Sequence, residues 1–166
     1  MTNKPKNIGT AAETAITRTA HTRGFPNARR LALTGNKDQG DIQLTPNIII
    51  EAKAGHTAEN ASDTLITTWL NQTHTETHNH PTATIGFLVT KRKGHGHTNA
   101  HNWWAHFHHT TWAQLIGYQL PTTANPHAII RTTLDSALAL LQAAGHAEDT
   151  ARDVLPSVPA QEQVVA

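Results

Sequence analysis

The part of this chain whose residue types and spacing suggest chemistry is Gly40-Asp41-Ile42-Gln43-Leu44-Thr45-Pro46-Asn47-Ile48-Ile49-Ile50-Glu51-Ala52-Lys53. With Thr45-Pro46-Asn47 as a three-residue loop, Leu44 pairs with Ile48, Gln43 with Ile49 and Ile42 with Ile50. Asp41 then lies across from Glu51. Side chains alternate along a strand, so Ile42, Leu44, Ile48, Ile50 and Ala52 share one apolar face, while Asp41, Gln43, Ile49, Glu51 and Lys53 share the other. Directly opposed strand residues have Cβ atoms roughly 4.5–5.5 Å apart, where two carboxylates repel unless something positive separates them. A divalent cation meets that need. Hard oxygen donors favour Mg2+ or Mn2+, ions that also bind phosphate oxygens. Lys53, two residues on along the same face, could stabilise charge on a phosphate under attack or hold the attacking water. The chemistry implied is metal-assisted phosphodiester hydrolysis. The plainer alternative is a surface hairpin on which Asp41, Glu51 and Lys53 form a solvated charge cluster. A loop of two or four residues would remove Asp41 from its place opposite Glu51.

The elements that must position this hairpin can be read from periodicity. Residues 8–23 place Ile8, Ala11, Ala12, Ala15, Ile16, Thr19 and Ala20 at helical spacing, with Glu13 beside the stripe and Gly24 as a stop. Residues 27–33 read as extended and 34–40 as a turn-rich loop. The hairpin strands are 41–44 and 48–53. A helix is predicted over 58–77, packing through Leu65, Ile66, Trp69 and Leu70. The apolar run 84–90 suits a buried strand, 103–108 another strand, and 111–118 a short helix. From 127 to 144, Ile130, Leu134, Ala137, Leu138 and Leu141 repeat with an amphipathic helical period, which predicts one helix. The class expected is α/β, a mixed sheet flanked by helices. Residues 1–146 are expected to form a single domain with its core in 8–118, and 147–166 a flexible acidic tail.

Composition sets the outer limits. In 166 residues there is no cysteine, which excludes disulfides, thiolate metal sites and cysteine nucleophiles. Any metal must be held by oxygen or imidazole. Residues 1–146 hold twelve basic against eight acidic residues, and the tail holds one against four. A mildly basic domain permits a polyanionic partner. No stretch approaches the ~20 apolar residues that span a bilayer, and the start has lysines but no apolar signal region, so a soluble, cytoplasmic protein is expected.

Taken together, these residues resemble the PD-(D/E)xK nuclease superfamily. Asp41 is followed after nine residues by Glu51-Ala52-Lys53, with an apolar strand and a glutamate-bearing helix upstream. Within it the chain is most similar to Holliday junction resolvases of archaeal type and their phage relatives. The matching residues are Glu13, Gly24-Phe25, Arg29 and Arg30, Thr34-Gly35, Asp41-Ile42 and Glu51-Ala52-Lys53, over roughly residues 8–93. One departure is Gly40, which stands where the motif has its proline.

The resemblance implies a restriction-endonuclease-like core and a metal-dependent, structure-selective DNA endonuclease. It further implies that Asp41 and Glu51 hold Mg2+ (or Mn2+), Lys53 acts on the water or the phosphorane charge, and Glu13 orients a water. Gln72 could approach as a glutamine does in several relatives. The expected partner is four-way or other branched DNA, bound by a homodimer whose two-fold symmetry matches the junction. If the chain is viral, its compartment is the host cytoplasm. A restriction-like, nicking or exonucleolytic enzyme on unbranched DNA is the alternative within this fold. Of another class is a non-catalytic, histidine-rich module that binds metal or DNA.

Phosphate contacts need cations. Candidates are Arg29 and Arg30, and Lys91, Arg92 and Lys93 after the apolar strand, where a charge run can equally be a solvated turn. Nine of the thirteen histidines lie between His74 and His109. His74-x-x-x-His78-x-His80 and His106-x-His108-His109 have spacings that could chelate zinc, but their threonine-rich surroundings read more simply as compositional bias. Trp103, Trp104 and Trp112 are candidates for base stacking or for core packing.

Overall fold

The computed structural model describes residues 4–32 and 38–147. The expected Thr34-Gly35 loop and, apart from Ala147, the expected acidic tail lie outside them.

The chain begins with helix α1 (Lys4–His21), which buries Ala12, Ala15, Ile16 and Ala20 against the sheet. Strands β1 (Arg29–Arg30), β2 (Ile42–Thr45) and β3 (Ile48–Lys53) follow. Next come a one-turn helix α2 (His56–Glu59) and the long helix α3 (Asp63–Asn79), where one helix over 58–77 was expected. The break falls at Asn60-Ala61-Ser62, where the Ser62 hydroxyl accepts from the Leu65 amide at 3.3 Å and starts α3 as an N-cap. Strand β4 (Ile85–Thr90), a 3-10 turn (His97–Asn102), β5 (Trp104–His108), α4 (His109–Leu115), β6 (Ile129–Thr133) and α5 (Leu134–Ala143) complete the described fold.

The predicted helix over 127–144 is corrected here: its first part is strand β6, and only Leu134–Ala143 is helical. Ile129 to Thr133 is a run rich in β-branched residues that pairs with the full length of β5. The Thr133 hydroxyl then accepts from the Ser136 amide at 3.2 Å, which fixes the helix start. The apolar face of α5 (Leu134, Ala137, Leu138, Leu141) is wholly buried in its own domain, so this face is not free to pair two copies.

The six strands lie in chain order, β1 to β6, all antiparallel except the β3–β4 pair. A parallel pair needs a crossover, and α2 and α3 supply it. The architecture is a mixed six-stranded sheet with flanking helices. On one face α1, α5 and the 3-10 turn close the main core over Ile42, Leu44, Ile48, Ile50, Phe87, Val89 and Phe107. On the other, α3 sets Ile66 and Leu70 against Leu88.

That second contact is close. A Cβ at Gly86 of β4 would lie 1.9 Å from Thr77 Oγ1 and 3.3 Å from Thr73 Cγ2, so only glycine lets α3 approach. Gly86→Ala is therefore expected to destabilise the protein by about 1–3 kcal/mol, the usual cost of overpacking. Gly96→Ala, with nothing within 4 Å, serves as control in the same urea denaturation. Equal midpoints for the two variants would contradict this packing.

Candidate active site

The hairpin reaches the expected register by an unexpected route. Ile42 pairs with Ile50 and Gln43 with Ile49, as the alternation requires, but Thr45 rather than Leu44 pairs with Ile48. The loop is thus the two-residue turn Pro46-Asn47, and Leu44 is an extra residue bulged from the ladder. A two-residue turn without the bulge would slide every pair by one and send Asp41 past Glu51. With the bulge, the two defects cancel.

Asp41 continues the register just before β2. Its amide donates to the Ile50 carbonyl at 3.2 Å, its own carbonyl accepts from the Leu31 amide at 2.8 Å, and its Oδ2 accepts from the Ala52 amide at 2.8 Å. The residue before it, Gly40, has φ +88°, and a Cβ there would meet Ile49 Cδ1 at 3.0 Å. Proline holds φ near −65°, so this backbone excludes the residue that names the motif and requires glycine.

Glu51 is 3% exposed, and its Oε1 accepts from Lys53 Nζ at 2.5 Å. On its other side stands Glu76 of α3, a residue the sequence reading missed. Gln72 donates to Glu76 Oε1 at 2.7 Å, so Gln72 reaches the site only through Glu76. The Oε2 atoms of Glu51 and Glu76 are both buried without a hydrogen-bond partner. The signal for Glu76 was the helical stripe itself: Ile66, Leu70, Thr73 and Thr77 continue the packing face, and position 76 borders it.

The electrostatics follow from this row of acids with Glu51 in the middle. Burial first, then the charge of Glu51, pushes Asp41 up to about 7, with a smaller push from Glu13. Burial also pushes Glu51 up to about 7, opposed by Lys53 and assisted by Glu76. Glu76 is raised mainly by burial. For Lys53, burial pulls down, but Glu51, Asp41 and Glu76 together hold its pKa above the ordinary value, so the side chain stays an ammonium. It is therefore suited to meeting negative charge rather than to taking a proton.

Asp41 and Glu51 fit a divalent cation: two acids within reach of each other, one with an unpartnered buried oxygen, on a rigid strand pair. Among the described residues no three acidic or histidine side chains converge on a single point. Such an ion would therefore draw its remaining ligands from elsewhere, and Mg2+ usually keeps several waters.

The other expected site residues are distributed unevenly. Glu13 is near enough to act on Asp41, yet its Oε2 is held by Arg30 Nε at 2.6 Å. Arg30 is accordingly neutralised, as is Lys91, which pairs with Glu59. Arg29 binds the neutral Gln43 through Nε and Nη2 at 2.9 and 2.7 Å and keeps its net charge. Arg92 lies over the ring of Trp104, 3.9 Å from its centroid, and Lys93 is exposed. The Lys91 amide donates to the Lys53 carbonyl at 2.9 Å, so residues 91–93 leave the sheet at the same end as the acids. Trp103 is fully buried and donates to the His95 carbonyl at 3.0 Å, while Trp112 packs edge-on to Phe107. Both belong to the core.

No family model, curated protein or solved structure matches this chain. Among the described residues no helix is long and apolar enough to cross a membrane.

The raised carboxyl pKa values give a pH test. Between the ordinary carboxyl value near 4 and about 7 the folded chain keeps protons that the unfolded chain has released. The stability contributed by these acids is whole below that window and lost as pH rises through about 7. His106, which burial drives down to about 4, has the opposite effect, losing stability as pH falls. The comparison with Asp41→Asn isolates the acid: with divalent ions chelated, the variant's gain in Tm over wild type is expected to be larger at pH 8 than at pH 5. A gain that does not change with pH would contradict the placement of Asp41.

Proposed function

We propose that this chain is a metal-dependent endonuclease that hydrolyses DNA phosphodiester bonds, with the restriction-endonuclease-like core of the PD-(D/E)xK superfamily and a preference for branched DNA. The observation that carries this reading is the approach of Asp41 and Glu51 across β2 and β3 with the Lys53 ammonium 2.5 Å from Glu51. Support comes also from the order of elements, a helix, three strands, a helix crossover and a fourth strand. The pair lies at the carboxyl ends of the two parallel strands, where ligands gather in open α/β sheets.

A magnesium or manganese ion at Asp41 and Glu51 would supply positive charge that polarises a phosphate oxygen and activates water. The protein's own groups do the rest. Asp41 is held in place by the Ala52 amide and Glu51 by Lys53, with the acid Glu76 beside Glu51. Lys53 stands beside them, charged, to meet the negative charge that builds on the phosphate as the bond breaks. Arg29, Arg92 and Lys93, none of them paired to a carboxylate, are the groups best suited to fixing the DNA backbone, while Arg30 and Lys91 first have to leave Glu13 and Glu59. Trp104, flanked by Arg92 and Arg131 at 3.9 and 5.7 Å, offers a stacking surface at the same end of the sheet. A homodimer remains the arrangement that suits a two-fold junction, using surfaces other than the buried face of α5.

The test is cleavage of a synthetic four-way junction and a linear duplex in Mg2+ by wild type and Lys53→Ala. Wild type is expected to cut the junction preferentially, and the variant to lose at least ~10²-fold in rate, the scale for removing one preorganised electrostatic stabiliser. Equal cutting of the duplex would shift the reading to a restriction-like or nicking enzyme. Unchanged cutting by the variant would remove Lys53 from the mechanism, and wild type that cuts neither DNA would overturn the enzyme.

For binding, Arg92→Ala is expected to weaken affinity for all DNA sequences alike and to lower the slope of log affinity against log salt by about 1. A full slope would take Arg92 off the phosphate backbone.

A further inference from the structure

A second group of side chains gathers on the α3 face of the sheet, at its other end. A cleft of about 510 Å³ lies between the second half of α3, the start of β4, the end of β5 and α4. None of Asp41, Glu51, Lys53 and Glu76 lines it; His74, His78, His108 and His127 do. His74 and His78 occupy adjacent turns of α3 with ring centroids 4.4 Å apart. Across the cleft, the His108 ring is 6.2 Å from that of His74 and 5.5 Å from that of His127, edge to face in both cases. His108 is 8% exposed, and its Nδ1 is buried with no hydrogen-bond partner.

Four imidazoles from a helix, a strand and a loop therefore face one space that holds no side-chain carboxylate. Two histidines at i and i+4 on a helix are the simplest protein chelate for a metal ion that prefers nitrogen. In this structure the His78 Nδ1 lies 2.9 Å from the His74 carbonyl, which leaves Nε2 as its open nitrogen. Such a partner on the second ring nitrogen is what fixes a liganding imidazole. The orphaned Nδ1 of His108 is a third donor.

We propose that His74, His78 and His108 form a binding site for a zinc-class divalent transition metal, separate from the carboxylate site, with His127 at its rim. In this structure the three rings do not share one focus. A shared focus requires the exposed rings of His74 and His78 to turn about their side-chain bonds towards His108. A metal here ties α3 to β5, so the site's effect is on the stability of the packing that supports Glu76 and Glu51. The proposal does not depend on the nuclease reading.

The test is titration of tag-free, metal-stripped protein with Zn2+, read by competition with a chromophoric chelator and by thermal unfolding. Wild type is expected to bind one zinc and to gain Tm with it, since a ligand of the folded state alone stabilises that state. The exposed pair is replaced in His74→Ala/His78→Ala, and His95→Ala/His97→Ala is the control for histidines elsewhere. Loss of even an outer partner of a ligand weakens binding about 10–100-fold, so loss of two donors is expected to cost more than about 100-fold in affinity, with the control unchanged. Wild type that fails to bind zinc, or a His74→Ala/His78→Ala protein that binds it as wild type does, overturns the site.

Discussion

Like charges placed together in a poorly solvated strand pair are costly, and the candidate site rests on that cost. Asp41 and Glu51 are crowded and largely buried, with one ammonium close by. A stability optimum would replace one acid or expose both. The pair persists because the rest of the hairpin leaves it no other place: Ile42, Ile48 and Ile50 on the opposite face are fully buried in the core under α1, so the strands cannot rotate their charged face away. Strain accepted at a working site and supported by the surrounding core is a common trade of stability for function.

The supports are particular. The Leu44 bulge corrects the short turn, Gly40 supplies a backbone angle that proline and other residues resist, and Gly86 lets α3 approach closely enough to bring Glu76 beside Glu51. The cations are also sorted. Arg30 and Lys91 are engaged with acids, whereas Arg29, Arg92 and Lys93 are turned to neutral, aromatic or solvent surroundings. Of the basic residues expected near DNA, these three retain charge that a phosphate can use. The acids and residues 91–93 lie at one end of the sheet and the histidine cleft at the other, so the two proposed ion sites are kept apart.

Much of this was legible in the sequence. Two-residue alternation identified the hairpin strands and the facing of Asp41 and Glu51, because a buried apolar face tolerates no slip. Helical spacing located α1 and most of α3. The bulge at Leu44 was not legible, since nothing local separates a three-residue loop from a two-residue turn plus one extra residue. The helix expected over 127–144 took in β6, because Ile130 and Leu134 fit a helical period as well as they fit a strand ending in a helix. What decided the matter was the unpaired side of β5, a partner seen only in three dimensions. Glu76 was missed for a related reason: the helical stripe puts position 76 at the edge of the packing face, but its neighbour Glu51 is set only by the crossover that folds α3 back over β3. His74 and His78 were already visible as a pair at chelating spacing, set aside for their threonine-rich surroundings, whereas His108 and His127 join them in one cleft only through the fold.

The most direct measurement of the central claim is anomalous diffraction from crystals soaked in manganese. The account predicts an anomalous peak between the carboxylates of Asp41 and Glu51, within about 2.2 Å of an oxygen of each, the coordination distance of a small hard cation. Saturating manganese that leaves that position empty, with the two acids simply protonated or paired with Lys53, would contradict it.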